Sequence, residues 1–116
     1  MTRGEFQEKL EAWWVETDSR EVARKNSQGA LLEFMQLYEK LEPKERDLAD
    51  QVIANWIGSE NERKRFDALA MADQFRIRAA LDPLSKAEAE LVTSKDHAAP
   101  YELAKIRRVL ANIRAQ

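Results

Sequence analysis

Residues 59–92 read SENERKRFDALAMADQFRIRAALDPLSKAEAELV, and this stretch decides the fold class. In its first half Phe66, Leu69, Ala70 and Asp73 recur at helical spacing, with Met71 and Ala72 beside them. Ser59 suits an N-cap, because its hydroxyl can accept from an otherwise orphan backbone N–H, and Glu62 three residues later completes a capping-box pattern. In the second half Leu81, Leu84, Ala87 and Leu91 need one helical face, with Ala89 near its edge. Pro83 sits early in that run, where its missing N–H costs little. The pattern predicts a turn at Phe75-Arg76-Ile77-Arg78 and a second helix from near Ala79. Asp73 is expected to pair with Arg76 or Arg78 across that turn. Nothing in the hairpin is a catalytic motif.

Helices are expected on either side of it. The first spans 4–16, with Phe6, Leu10, Trp13 and Trp14 along its apolar stripe. Thr17-Asp18-Ser19 is expected to end it, leaving a short helical piece through Lys25. Asn26-Ser27-Gln28-Gly29 is the clearest break in the first half. A second helix covers 28–41 and stops at Glu42-Pro43, the residue before proline being biased away from helix. A third covers 44–57, and Gly58 suits the left-handed conformation that closes a helix. After the polar connection Thr93–Ala99, Pro100 opens the last helix, whose Leu103, Ile106, Leu110 and Ile113 keep a 3-4-3 spacing. The expected pairs are 30–41 with 44–57 and 60–74 with 79–92, the first and last helices covering the ends. The expected architecture is thus a single all-α domain over residues 1–116, either stacked antiparallel hairpins or an irregular five-to-six-helix bundle.

A helix, a turn carrying an arginine and an aliphatic, and a second helix with an early proline resemble a HEAT-type repeat. With flanking helices counted as looser units, the resemblance covers roughly residues 30–114. The run Phe75-Arg76-Ile77-Arg78-Ala79-Ala80-Leu81-Asp82-Pro83-Leu84, followed by Ala99-Pro100-Tyr101-Glu102-Leu103-Ala104-Lys105, is similar to small bacterial HEAT-like proteins, including immunity proteins that neutralise a toxin. What that resemblance implies is stoichiometric binding of a protein partner, a cognate toxin in its sharpest form.

Composition narrows the alternatives. Helix formers dominate the 116 residues, and only three glycines and three prolines interrupt them. Without cysteine there is no disulfide framework, thiolate nucleophile or sulfur metal site. The start, MTRGEFQEKLEAWW, is too polar for a secretory leader, so a cytoplasmic location is expected. Charge is unevenly spread: residues 1–58 carry 8 basic and 12 acidic residues, a net of −4, and residues 59–116 carry 11 and 9, a net of +2. An acidic first half can steer a basic partner.

Candidate chemistry is sparse. His97, the lone histidine, lies in a polar loop between Asp96 and alanine, with nothing in the sequence to orient it as an acid or base. The pairs Glu16/Asp18 and Asp47/Asp50 lack the loop or Glu-x-x-His context of a metal site. The glycines at 4, 29 and 58 are isolated, so no phosphate loop exists. No cofactor, metal or catalytic residue is therefore assigned, and a non-enzymatic role is expected. Two adjacent tryptophans cannot both face one core line, and exposed tryptophan is enriched at the energetic centres of interfaces. Partner binding is accordingly placed on Glu8, Glu11, Glu16 and Asp18, with Trp14 as the apolar anchor. The alternative is a nucleic-acid-associated regulator using Arg63-Lys64-Arg65, Arg76, Arg78, Lys105, Arg107, Arg108 and Arg114. A self-associating homodimer is the third option.

Overall fold

The computed structural model describes residues 2–26 and 28–115; Ser27, part of the expected break at 26–29, lies outside the described residues. The fold is all-α, with no strand among the described residues. Helix α1 is Arg3–Ala23, α2 Gly29–Lys40, α3 Pro43–Trp56, α4 Glu62–Phe75, α5 Leu81–Val92 and α6 Ala99–Arg114, with one 3-10 turn at Arg78–Ala80. The chain divides into two compact units, Met1–Val52 and Ile53–Gln116, and the division falls inside α3.

In the first unit α1 does not stop at residue 16. Thr17, Asp18 and Ser19 are helical, and the helix continues to Ala23. Phe6, Leu10, Trp14, Thr17, Asp18 and Glu21 are all buried along it, so the stripe is apolar at first and polar at its end. The weak helix propensity of short polar residues, under about 1 kcal/mol each, yields to this burial. Thr2 caps the start, its hydroxyl accepting from the Glu5 N–H at 3.1 Å. The end is a Schellman closure: the Lys25 N–H donates to Val22 O at 3.0 Å and the Asn26 N–H to Glu21 O at 2.8 Å. Lys25 takes the left-handed position, φ 57°, that glycine usually fills. Helix α2 then folds back on α1, with the Trp13 and Phe34 rings 5.6 Å apart.

Pro43 occupies the first position of α3, as expected, and Glu45 reaches back to the Glu42 N–H at 3.2 Å. Arg46 donates to the Glu39 carbonyl at 2.8 Å, satisfying one of the orphan acceptors at the end of α2.

In the second unit Gly58 is not left-handed, and the cap of α4 is Asn61 rather than Ser59. Asn61 Oδ1 accepts from the Lys64 N–H at 3.1 Å, and the Ser59 hydroxyl accepts from the Asn61 N–H at 3.1 Å. The turn falls where the sequence placed it. Arg76 closes α4 at φ 49°, the Ile77 N–H donates to Ala72 O at 3.1 Å, and Ile77 is buried. Pro83 lies in the first turn of α5.

The packing order in this unit differs from a simple sequential hairpin. Helices α4 and α5 both pack chiefly on α6. Arg107 bonds Glu88 at 3.1 Å and Arg114 bonds the Ser85 hydroxyl at 3.4 Å, so α5 and α6 run antiparallel. Asn112 reaches Asp73, and Lys105 lies over Phe66, at the same offset of 39 residues. Helix α4 therefore runs parallel to α6. The partner of Asp73 is not an arginine of the turn: Asn112 Nδ2 donates to the Asp73 carbonyl at 3.1 Å and to its carboxylate at 2.9 Å.

Candidate functional site

The parallel and antiparallel neighbours of α6 leave an open groove of about 700 Å³ in the second unit. Its floor is apolar: Ile57, Leu84 and Ile106 are buried, while Leu69, Ala87 and Leu91 are half-buried. Two aromatic rings stand at its rim, Phe66 on α4 at 48% exposure and Tyr101 on α6 at 67%. The Lys105 ammonium is held between them, 4.9 Å from the Phe66 centroid and 4.8 Å from that of Tyr101. Both distances lie within the roughly 6 Å over which a cation is drawn to a ring face. The remaining polar lining is mostly carboxylate: Glu60, Glu62 and Glu90 are exposed and Glu102 is half-buried. Arg65 also lines the groove, and its guanidinium donates to the Ser59 carbonyl at 2.9 Å.

Phe66 shares the helical spacing of α4 and Tyr101 is an apolar residue of α6, yet both lie off the buried line of their helix. On α4 that line is Asp67, Ala68, Met71 and Ala72; on α6 it is Ile106, Val109, Leu110 and Ile113. The available signal was that Tyr101 precedes, and does not share, the Leu103-Ile106-Leu110-Ile113 spacing.

The residues singled out on α1 separate into two groups. Glu8 and Glu16 are exposed and Glu11 is half-buried. Trp14 is only 1% exposed and Asp18 is buried, so neither offers itself to a partner in this conformation. The reason is the line of burial: Trp14 continues Phe6 and Leu10 at i+4 spacing, and the same line runs on through Thr17, Asp18 and Glu21, leaving Trp13 half-buried at its edge. Between Glu8 and Glu16 the exposed large apolar residue is Val15, at 53%.

Asp50, weighed above with Asp47 as an acid pair, has a structural partner. The Tyr38 hydroxyl donates to its Oδ1 at 2.7 Å, and the Arg46 guanidinium lies 5.5 Å above the Tyr38 ring. Burial pushes the Tyr38 phenol well above its ordinary value, reinforced by the bond to Asp50. Burial also raises the Asp50 carboxyl, opposed by that same bond.

Several basic residues of the second half are engaged locally. Arg107 bonds Glu88, Lys64 lies 5.2 Å over the Trp56 ring, and Lys105 is between its two rings. His97 is exposed in the loop before α6. Among the described residues no group of three His, Cys, Asp or Glu side chains is placed to hold a metal ion. No helix among them is long and apolar enough to cross a membrane. No family model, curated protein or solved structure matches the chain.

Proposed function

We propose that this chain is a non-enzymatic protein-binding module whose docking surface is the groove beside α6. The observation that carries the reading is an apolar floor left open beneath two exposed aromatic rings, Phe66 and Tyr101. Aromatic side chains supply large contact area at small entropic cost and dominate the centres of interfaces. None of the charged lining groups is buried, unlike the few precisely placed polar groups that orient a small substrate in an enclosed pocket. The local engagement of Lys64, Lys105 and Arg107 weighs against the nucleic-acid alternative.

The test compares a tagged full-length chain with its Phe66→Ala/Tyr101→Ala variant. The wild type should retain a stoichiometric protein partner through nuclease treatment, and the variant should lose it. Equal retention by both rules out the groove as the docking surface. Recovery of nucleic acid alone favours the regulator.

A sharper form of the reading is an immunity protein that neutralises a cognate toxin, bound also through α1. What supports it is the exposed acidic face of that helix, Glu8 and Glu16 with Val15 between them, in an acidic half of the chain. Coexpression with a candidate toxin should restore growth, and Glu8→Lys/Glu16→Lys should abolish the rescue. Undiminished rescue by that variant removes α1 from the interface.

A further inference from the structure

We infer that the occupant of the groove is a cationic amphipathic helix, one carrying an apolar stripe flanked by lysine or arginine. The inference rests on the docking reading above and adds the chemistry of the partner. Four carboxylates, Glu60, Glu62, Glu90 and Glu102, line the groove against two cations, Arg65 and Lys105. None of the four is ion-paired among the described residues, whereas both cations are occupied, Arg65 on the Ser59 carbonyl and Lys105 between two rings. The lining therefore carries a formal excess of negative charge, four carboxylates against two cations, and none of the four carboxylates has an ion-pair partner of its own among the described residues. An anionic segment laid there would meet like charge, which disfavours it as an occupant.

The shape selects a helix. Leu84, Ala87 and Leu91 run along about two turns of α5, with Leu69 of α4 and Ile106 of α6 beside them, so the floor is a strip bounded by helices. Such a surface accepts anchors at i, i+3, i+4 and i+7 of a docked helix. Carboxylates stand on separate elements: Glu60 and Glu62 at the start of α4, Glu90 near the end of α5, and Glu102 in the first turn of α6. Because α4 lies parallel and α5 antiparallel to α6, all four stand toward one end of the groove, where basic residues beside the apolar stripe of the incoming helix meet them. The Phe66–Lys105–Tyr101 stack adds a second recognition element, because an arriving guanidinium or ammonium can exchange with Lys105 on the same ring faces.

The experiment uses the full chain and three labelled synthetic peptides of about 18 residues, roughly 27 Å long as helices. The first has Leu at i, i+3, i+4 and i+7 with Lys and Ala elsewhere. The second replaces every Lys by Glu, and the third scrambles the first so that its apolar stripe is lost. Fluorescence anisotropy reads affinity, and amide shifts of Leu69, Leu91 and Ile106 read location. The cationic helix should bind at the groove at least about tenfold more tightly than either control, a difference of about 1.4 kcal/mol. Glu62→Lys/Glu102→Lys, both off the buried core, should reverse the preference between the first two peptides. Helicity by circular dichroism checks that this variant stays folded, and Phe66→Ala/Tyr101→Ala should weaken the cationic helix about tenfold without it. Seating of the acidic helix in the groove, or equal binding of the scrambled peptide, overturns the charge or helix inference while leaving docking in place. If no peptide moves the groove amides, this inference fails, and the partner-retention test above then decides the docking reading by itself.

Discussion

The Glu21 side chain lies directly over the α-carbon of Gly29: a β-carbon at position 29 would stand 2.5 Å from Oε2 and 2.7 Å from Cγ and Cδ. The carboxylate is held there from three sides. Asn26 Nδ2 donates to it at 3.2 Å, Arg20 Nε lies at 3.4 Å and Arg24 at 3.7 Å. Position 29 is thus glycine for lack of space, and not for an unusual backbone angle, since no glycine among the described residues has positive φ. Position 29 begins α2, so the contact also brings a negative group to the positive end of that helix.

Gly29→Ala should therefore lower stability by about 1 kcal/mol, the overpacking cost exceeding the gain in helix propensity. In a Glu21→Ala background the sign should reverse, alanine then stabilising by about 0.5–1 kcal/mol. Urea denaturation of the four proteins in this cycle checks it. An equal effect of Gly29→Ala in both backgrounds dissociates glycine from the carboxylate.

Tyr38→Phe should cost about 1.5–3 kcal/mol at neutral pH, since the lost bond ends on a carboxylate. The sign with pH follows from the raised phenol. Its folded value lies above the ordinary 10.0, so the contribution is fully present below about pH 10 and is lost as pH rises through the folded value. The stability difference between wild type and Tyr38→Phe should accordingly shrink on the alkaline side. Asp50 behaves in the same sense at acid pH: its carboxyl is raised from 3.8, so its own contribution is greatest when protonated and falls as pH rises through the folded value. The charges facing the pair are Arg46 and Asp47. Removing the Tyr38 bond should lift the Asp50 titration further, read from its side-chain carbon by NMR.

Trp14→Ala should unfold or strongly weaken the protein instead of leaving a folded, binding-defective one. Trp14 is 1% exposed, and truncating a buried tryptophan costs about 3–5 kcal/mol. Val15→Ala, on the exposed side of the same helix, should shift stability by under about 0.5 kcal/mol. Comparable thermal shifts for the two variants argue against the inward orientation of Trp14.

Asn112→Ala should lower stability by about 1–2 kcal/mol, because one amide satisfies both a terminal carbonyl of α4 and the Asp73 carboxylate. Hydrogen exchange should quicken selectively in the last turn of α4. Uniform exchange changes across the unit place the role of Asn112 elsewhere.

The all-helical class was legible in the chain itself. Apolar residues at helical spacing, few glycines and prolines, and very few β-branched runs leave one economical way to bury the stripes. Pro43 and the early Pro83 marked helix starts, and Pro83 thereby the turn before it at 75–78, because proline acts locally, through its fixed φ and missing N–H. The exposed carboxylates Glu8 and Glu16 were legible for a similar reason, lying off any apolar line.

Tertiary contacts decided the rest. Thr17, Asp18 and Ser19 read as a helix stop from propensity, yet burial of the first two carries α1 through them to Ala23. Asp73 chose Asn112, which is remote in sequence and becomes its neighbour only because α4 lies parallel to α6. Nothing in the local spacing marked Phe66 as exposed, and only the packing of α4, α5 and α6 shows which aromatic faces are left uncovered. Local spacing determines that a helix forms and roughly where it ends. Which side of it meets another helix depends on partners tens of residues away, and that choice placed the groove.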